Sequence, residues 1–432
     1  MKNGGIIGEE ELVDDDREIV VELNDYFCTV FSNELFRNNG DETMLLDKEN
    51  QVEKMGSISF TDDDVIKAIS EFKENKSAGL DEINSTYAIN IKEIVAKPLR
   101  IIFNKSLEEN EIPDEWKRAN ITPIFKKGDK SLVSNYRPVS LTILFCKVME
   151  KLIKQNIDRH LFLSNFHMTS QHGFRKGRSC MSNLLISQFS IMNIVDEGGC
   201  VDIIYLDFQK AFDKVPHGNL IRKVKGFGID DKVTGWIENW LKNRTQRVVI
   251  NGVSSDWKDV KSGVPQGSIL GPLLLTMYIE DIDEVLKSSN LLKFADDTKV
   301  WGRVNKKEDA VLMQDDLNSL CEWSKRNGMP FNVDKCVVMH IGKKNLREKY
   351  FLNGVELKCV KEEKDLGVFF SEDSKPSLHC NMVSKSASKI TGLIRRKISN
   401  KSKEGMLILY KTLVRPIVDY CTPVWRPYLR KM

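Results

Sequence analysis

The feature that most constrains this chain is a pair of adjacent aspartates, Asp296-Asp297, at the end of an apolar run closing in Phe294-Ala295. A lone aspartate, Asp207, closes another such run after Tyr205-Leu206. Runs of this kind form buried strands. Carboxylates delivered to one end of a sheet repel one another unless something positive lies between them. Magnesium meets that need, because it is hard, prefers oxygen, and is held by one or two carboxylates plus substrate phosphates. Two such ions can activate an attacking hydroxyl and stabilise a leaving pyrophosphate. Nucleotidyl transfer is therefore the first function the residues suggest. An Asp-Asp dipeptide alone is weak evidence, since most such pairs are solvated turns. The strand before each acid strengthens it, and so does the segment Ser262 to Pro272, whose three glycines and two prolines make a shaped loop around Gln266. Backbone of that composition can approach a ligand closely.

The bulk of the chain is that of an ordinary globular protein, with 432 residues, 41% hydrophobic and 29% charged. Nine cysteines and no C-x-x-C pair argue against a disulfide framework or a zinc knuckle and fit a reducing compartment. No stretch reaches the roughly 18–20 apolar residues that cross a bilayer, and the first residues lack the apolar core of a signal peptide. An intracellular protein with no membrane partner is expected. The net charge of +3 hides a gradient. Residues 1–64 hold 18 acidic against 5 basic residues, whereas residues 381–432 hold 12 basic against 2 acidic. A basic end suits a polyanion, although a solvated helical face would look the same.

The spacing of Ile19, Leu23, Phe27, Val30 and Phe31 predicts a helix over Glu18–Phe36, followed by a linker over residues 40–55. Thr61 before three aspartates predicts a capped helix start. A short strand running into a turn is predicted over Ile121–Asp129, a helix over Val148–Phe162 and a strand over Val201–Leu206. Helices follow around Leu220–Val224 and Val233–Leu241. Arg247–Ile250 with Asn251-Gly252 reads as a strand and hairpin turn. Leu291–Ala295 and Lys299–Trp301 predict a hairpin with the acids at its tip. Val337–Ile341 is a further strand, and residues 383–425 read as mostly helical. The middle of the chain thus reads as α+β, an antiparallel sheet with helices on one face.

Several ordered segments resemble reverse transcriptases, most closely those of jockey-like, LINE-type non-LTR retrotransposons. Tyr205 to Asp213 resembles motif A, Gly263 to Pro272 motif B, and Phe294 to Asp297 motif C. Asn135 to Leu141 and Gln171 to Ser179 are similar to the fingers motifs, Phe331 to Cys336 to motif D, Lys364 to Val368 to motif E, and Leu409 to Trp425 to the thumb segment. The resemblance implies an RNA-directed DNA polymerase with a right-hand arrangement of fingers, palm and thumb. It partitions the chain into an acidic connector (1–55), fingers (56–200), palm (201–345), palm–thumb connection (346–380) and a basic helical thumb (381–432). The partners it implies are an RNA template, a DNA primer and deoxynucleoside triphosphates, with two Mg2+ ions as cofactor. By the same resemblance Asp207, Asp296 and Asp297 hold the metal, aided by the Phe208 carbonyl. Phe212 lies under the sugar and excludes a 2′-hydroxyl, while Gln266 and the loop through Gly267 contact the incoming nucleotide. Arg175 is the first candidate for the triphosphate, with Arg137, Lys176 and Arg178 behind it. Lys335 either protonates the pyrophosphate or is a surface lysine in a turn. Lys385, Lys389, Arg395, Arg396, Lys397, Lys401 and Lys403 would meet the primer–template phosphates. Tyr420 and Trp425 read as packing residues.

The chain departs from the family pattern in places. Leu80 and Glu82 stand where the family carries proline and glycine, so the fingers loop is expected to be distorted. Thr276 places a hydroxyl at a core position, costing about 1 kcal/mol or more if unpaired. Residues 1–55 resemble only the connector that follows an endonuclease, and the thumb segment stops soon after Trp425 where the family continues, so a truncated genomic copy or a domain-length gene model, with a shortened thumb and lacking the endonuclease, is expected. The alternative function is a catalytically inactive nucleic-acid-binding remnant. An intron-type maturase fits less well. Target-primed synthesis, the family's behaviour, would place the protein in the nucleus and otherwise in the cytoplasm.

Overall fold

A computed structural model describes residues 6–7, 12–32, 53–164, 166, 168–399 and 402–426. Most of the linker expected over residues 40–55, the end of the helix expected to reach Phe36, and Lys401 lie outside them. The chain mixes helices with sheets. It packs as two compact units, one of Met1–Met168, Gln209–Asp281 and Ser324–Pro330, the other of Thr169–Phe208, Ile282–Trp323 and Phe331–Met432. The main strands are β1 (Arg118–Phe125), β2 (Tyr136–Leu141), β3 (Val201–Leu206), β4 (Arg244–Ile250), β5 (Asn290–Phe294), β6 (Asp297–Arg303) and β7 (Val337–Ile341).

In the first unit, β1 pairs antiparallel with β2 and parallel with β4. Along β4 every second residue is buried, the period expected of a strand with one face on a core. The turn after it follows the Asn-Gly rule: Asn251 (φ 49) and Gly252 (φ 83) both take positive φ, and Ile250 pairs with Val253. The helix Asp16–Thr29 lays Ile19, Val20, Leu23 and Phe27 on this sheet, against Ala119, Ile121, Tyr136, Val248 and Ile250. It ends well before the Phe36 predicted from its spacing. The helix Asp62–Ser70 begins on a full capping box. Thr61 accepts from the Asp64 amide, and the Asp64 carboxylate accepts from the Thr61 amide. A cap of this kind contributes about 1 kcal/mol. Glu82 sits at φ 54, a left-handed conformation that glycine adopts freely and glutamate does not, which gives the departure at this position its structural cost. Thr276 escapes the penalty conditionally expected of it, because its buried hydroxyl donates to the Leu273 carbonyl at 2.8 Å.

In the second unit, β3 is central. It pairs antiparallel with β6 and β7, β5 pairs antiparallel with β6, and Lys358–Cys359 adds a short parallel strand on β7. Both faces are covered, rather than the single face expected from the sequence, so β3 reads as a nearly continuous apolar run. Val201 and Ile203 pack with Trp301, Met339, Ile341 and Ile191 of the helix Cys180–Asp196, while Ile204 lies between Val300 and Val338 in the ladder. The exception is Asp202, which is fully buried. Its carboxyl group accepts from Tyr350 and Asn345 and meets His340 Nδ1, each at 2.7 Å, so the buried oxygens have three partners. The C-terminal region is helical, with Ser377–Lys397 the longest piece. The Trp425 indole donates to the Tyr420 carbonyl and its ring meets His379 edge-on, so Trp425 packs, whereas Tyr420 donates to the Leu366 carbonyl but is 42% exposed, unlike the packing residue expected.

Candidate functional site

Asp207 follows the last residue of β3. Its main chain is anchored on both sides: the amide donates to Cys336 Sγ at 3.4 Å and the carbonyl accepts from the Asn332 amide at 2.7 Å. The next residue, Phe208, is buried and stacks on Phe331 with ring centroids 4.6 Å apart. These contacts bring the segment carrying Lys335 alongside the end of β3. Lys335 Nζ lies 3.1 Å from Asp207 Oδ2.

The Asp296-Asp297 pair lies in the hairpin joining β5 to β6. Phe294 pairs with Asp297, which leaves Ala295 and Asp296 as the two turn residues. Asp297 opens β6 and is exposed. Thr298 is opposite Leu206, so the register carries Asp297 to the same end of the sheet as Asp207. Ala295 takes φ 55, a strained value for a residue with a Cβ. Its amide and carbonyl are both bonded by Gln171, a residue that the sequence marks only as part of a fingers motif. No periodicity signals such a contact; the Gln-His-Gly string is its one trace in the sequence.

Asp207, Asp296 and Asp297 are the residues that could hold a divalent cation here. Among the described residues no three His, Cys, Asp or Glu side chains form a ready-made metal cage. Magnesium requires none, since it keeps several waters and takes one or two carboxylates together with substrate phosphates. The donors are hard oxygens, and the ammonium of Lys335 already stands as a cation against one of them. On the same unit, Arg175 is half-buried and Lys176 and Arg178 are exposed. Burial, with Arg178, Lys299 and Arg175 nearby, pushes the His172 imidazole down to about 4 and keeps it neutral at physiological pH.

Phe212, Gln266, Gly267 and Arg137 belong to the other unit. There the glycine-rich loop is tied to the residues after Asp207 in the chain. The Val264 amide donates to the Phe212 carbonyl at 2.7 Å, and the Gly263 amide to the Val215 carbonyl at 2.8 Å. Gly263 takes φ 84, and a Cβ on it would collide with the Phe212 carbonyl and the Asp213 backbone. Gln266 is half-buried. Its side-chain amide donates to Asp213 Oδ1 at 2.8 Å, and its carbonyl accepts from the Ser140 amide at 2.7 Å. Asp213, which the sequence marks only as the last residue of the motif A segment, is the residue that orients Gln266. Burial pushes its carboxyl up to about 6 against the pull of Gln266, Lys210, Lys126 and Arg137. Phe212 is half-buried and Arg137 exposed on β2. Glu150, fully buried, holds the start of the helix Leu270–Tyr278 by accepting from the Ile269 amide at 2.6 Å and the Leu270 amide at 3.3 Å. That arrangement satisfies amides a helix leaves unpaired. Lys385, Lys389, Arg395, Arg396 and Lys397 are all exposed on the helix Ser377–Lys397.

A sequence profile described as reverse transcriptase (RNA-dependent DNA polymerase) matches residues 124–386. The chain is 27% identical over 381 residues to a probable RNA-directed DNA polymerase from transposon BS of Drosophila melanogaster, covering 84% of this chain and 42% of that protein. It is 27% identical over 383 residues to the corresponding protein of the X-element of the same fly, covering 84% and 41%. It is 26% identical over 380 residues to the RNA-directed DNA polymerase from its mobile element jockey, again covering 84% and 41%. The chain therefore spans well under half the length of these relatives.

Proposed function

The chain belongs to the reverse transcriptase (RNA-dependent DNA polymerase) family, and from that membership we propose that it extends a DNA primer on an RNA template with deoxynucleoside triphosphates, in a fingers–palm–thumb arrangement. The observation that carries this reading is the β3–β6 register, which brings Asp297 to the sheet end that carries Asp207. Asp207, Asp296 and Asp297 would hold two magnesium ions. When bound, these supply positive charge at the attacking 3′-hydroxyl and at the leaving pyrophosphate. Phosphoryl transfer asks the protein mainly for positioning and charge stabilisation, and the remaining roles are of that kind.

Lys335 would exchange its hold on Asp207 for the pyrophosphate, to which it can give a proton. Phe212 would bar a ribose 2′-hydroxyl, and Gln266, fixed by Asp213, would lie against the incoming nucleotide with Gly267 beside it. Arg175 and Arg137 would grip phosphates. The cations Lys385, Lys389, Arg395, Arg396 and Lys397 would follow the primer–template backbone, an interaction indifferent to sequence and sensitive to salt. Work on chromosomal targets would place the protein in the nucleus. Described residues include no helix long and apolar enough to cross a membrane.

One observation favours a second reading, a nucleic-acid-binding remnant without catalysis: Glu82 holds a backbone conformation suited to glycine in a segment of the fingers. Templated incorporation separates the two. Labelled dTTP added to an oligo(dT) primer on poly(rA), in magnesium, supports the polymerase. Template binding without incorporation supports the remnant.

A further inference from the structure

We infer that Gln171 is a positioning residue for the Asp296-Asp297 turn, setting where those carboxylates meet the metal; the inference rests on the polymerase reading. The turn needs such a support. Ala295 sits at φ 55, which costs a non-glycine residue about 1 kcal/mol or more and persists only where the surroundings impose it.

Gln171 imposes it. The residue is fully buried. Its Oε1 accepts from the Ala295 amide at 2.8 Å and from the Gly173 amide at 2.8 Å, and its Nε2 donates to the Ala295 carbonyl at 3.2 Å. One side-chain amide thus closes both backbone groups of the first turn residue, as a neighbouring strand would. The backbone around it delivers the side chain to that spot. His172 N donates to the Lys293 carbonyl at 2.9 Å and Lys293 N to the Ser170 carbonyl at 2.8 Å, so Ser170–His172 runs beside β5, with Gln171 bridged in parallel to Lys293.

Further contacts lock this segment. Lys293 is fully buried and its ammonium lies 2.8 Å from Asp283, which also accepts from the Ser170 hydroxyl. Asn183 donates to the Lys293 carbonyl at 3.0 Å. Gly173 must be glycine, because a Cβ there would collide with the Ala295 amide nitrogen. Without Gln171, a buried amide and carbonyl one residue from Asp296 lose their partners, and the turn has every reason to rearrange. A displacement of about 1 Å at a reacting centre can cost about a hundredfold in rate.

The test uses the full chain and two variants. Gln171→Met removes both hydrogen-bonding functions at similar volume. Gln171→Glu keeps the acceptor for the two amides and loses the donor. Three readouts are taken: extension turnover with its magnesium midpoint, template–primer affinity, and amide hydrogen exchange at Ala295. Gln171→Met is expected to lower turnover at least about tenfold, raise the magnesium midpoint several-fold, deprotect the Ala295 amide, and leave template–primer affinity unchanged. Gln171→Glu is expected to recover the Ala295 protection and part of the turnover. Unchanged turnover and magnesium midpoint in Gln171→Met overturn the inference. Should Gln171→Met fail to fold, Gly173→Ala, which presses directly on the Ala295 amide, decides it: an unmoved magnesium midpoint there is equally fatal. If the parent extends no primer, the polymerase reading falls separately. Exchange at Ala295 and Mn2+ binding followed by paramagnetic resonance then decide the clamp, which fails if neither changes in Gln171→Met.

Discussion

The Lys335 ammonium lies 3.1 Å from the Asp207 carboxylate, joining the turn before β7 to the residue that follows β3. Both groups are open to solvent, with Lys335 61% and Asp207 33% exposed. A pair this open contributes little to stability, about 0–1 kcal/mol. The proposed function gives the pair a chemical role instead. Lys335→Ala is expected to leave the melting temperature nearly unmoved while lowering extension turnover by about a hundredfold or more, in the range of a lost general acid. Single-turnover kinetics beside a thermal melt checks this. Full turnover would return Lys335 to a surface role.

Asp213 gives a pH prediction. Its carboxyl is pushed up from the ordinary value of 3.8 to about 6, chiefly by burial. A folded-state value above the unfolded one means the contribution to stability is complete below about pH 4 and is lost as pH rises through about 6. Asp213→Asn keeps an acceptor for Gln266 and deletes the charge. The variant should match the parent near pH 4 and exceed it by about 1–3 kcal/mol at pH 7. Urea unfolding at the two pH values measures the gap. A gap independent of pH would show that Asp213 does not titrate there.

Glu82 makes a backbone prediction. At φ 54 its Cβ is strained against the main chain, and Glu82→Gly should stabilise the chain by about 0.5 kcal/mol after the greater freedom of glycine in the unfolded state is subtracted. Glu82→Val, whose branched side chain tolerates this conformation worst, should destabilise it by more than about 1 kcal/mol. Chemical denaturation of the two variants beside the parent gives the order, and the opposite order would rule out strain at this position.

The exposed cations of the helix Ser377–Lys397 make a salt prediction. Each phosphate that the protein ceases to neutralise takes about 0.9 off the slope of log affinity against log salt. Replacing Lys385, Lys389 and Arg396 together by alanine should flatten that slope by about 2–3 and weaken binding about equally across template sequences. Fluorescence anisotropy across a salt series reads both effects. An unchanged slope would mean that this face does not meet the nucleic acid.

The central strands of the second unit were legible because burial on both faces leaves a nearly continuous apolar run: β3 and β7 have the bounds expected of them. The Asn251-Gly252 hairpin and the Thr61 cap were legible because both rest on local backbone chemistry. The helix from Asp16 stops at Thr29 although Val30 and Phe31 continue its spacing, since apolar periodicity does not mark where a helix ends. The supports of the candidate site were harder to read. Gln171 on Ala295, Asp213 on Gln266 and Glu150 on Ile269 are polar side chains meeting distant partners. Such pairings have no period and no composition, so only the folded chain reveals them.

Metal-assisted polymerisation by the acids at the end of β3 and in the β5–β6 turn is the proposed chemistry. The most direct measurement is primer extension on an oligo(dT)-primed RNA with dNTPs and magnesium, run for the parent and for Asp296→Ala, with template–primer binding measured in parallel. Extension by the parent, none by the variant, and equal binding by both are expected. Extension by Asp296→Ala at the parent's rate would contradict the proposed chemistry.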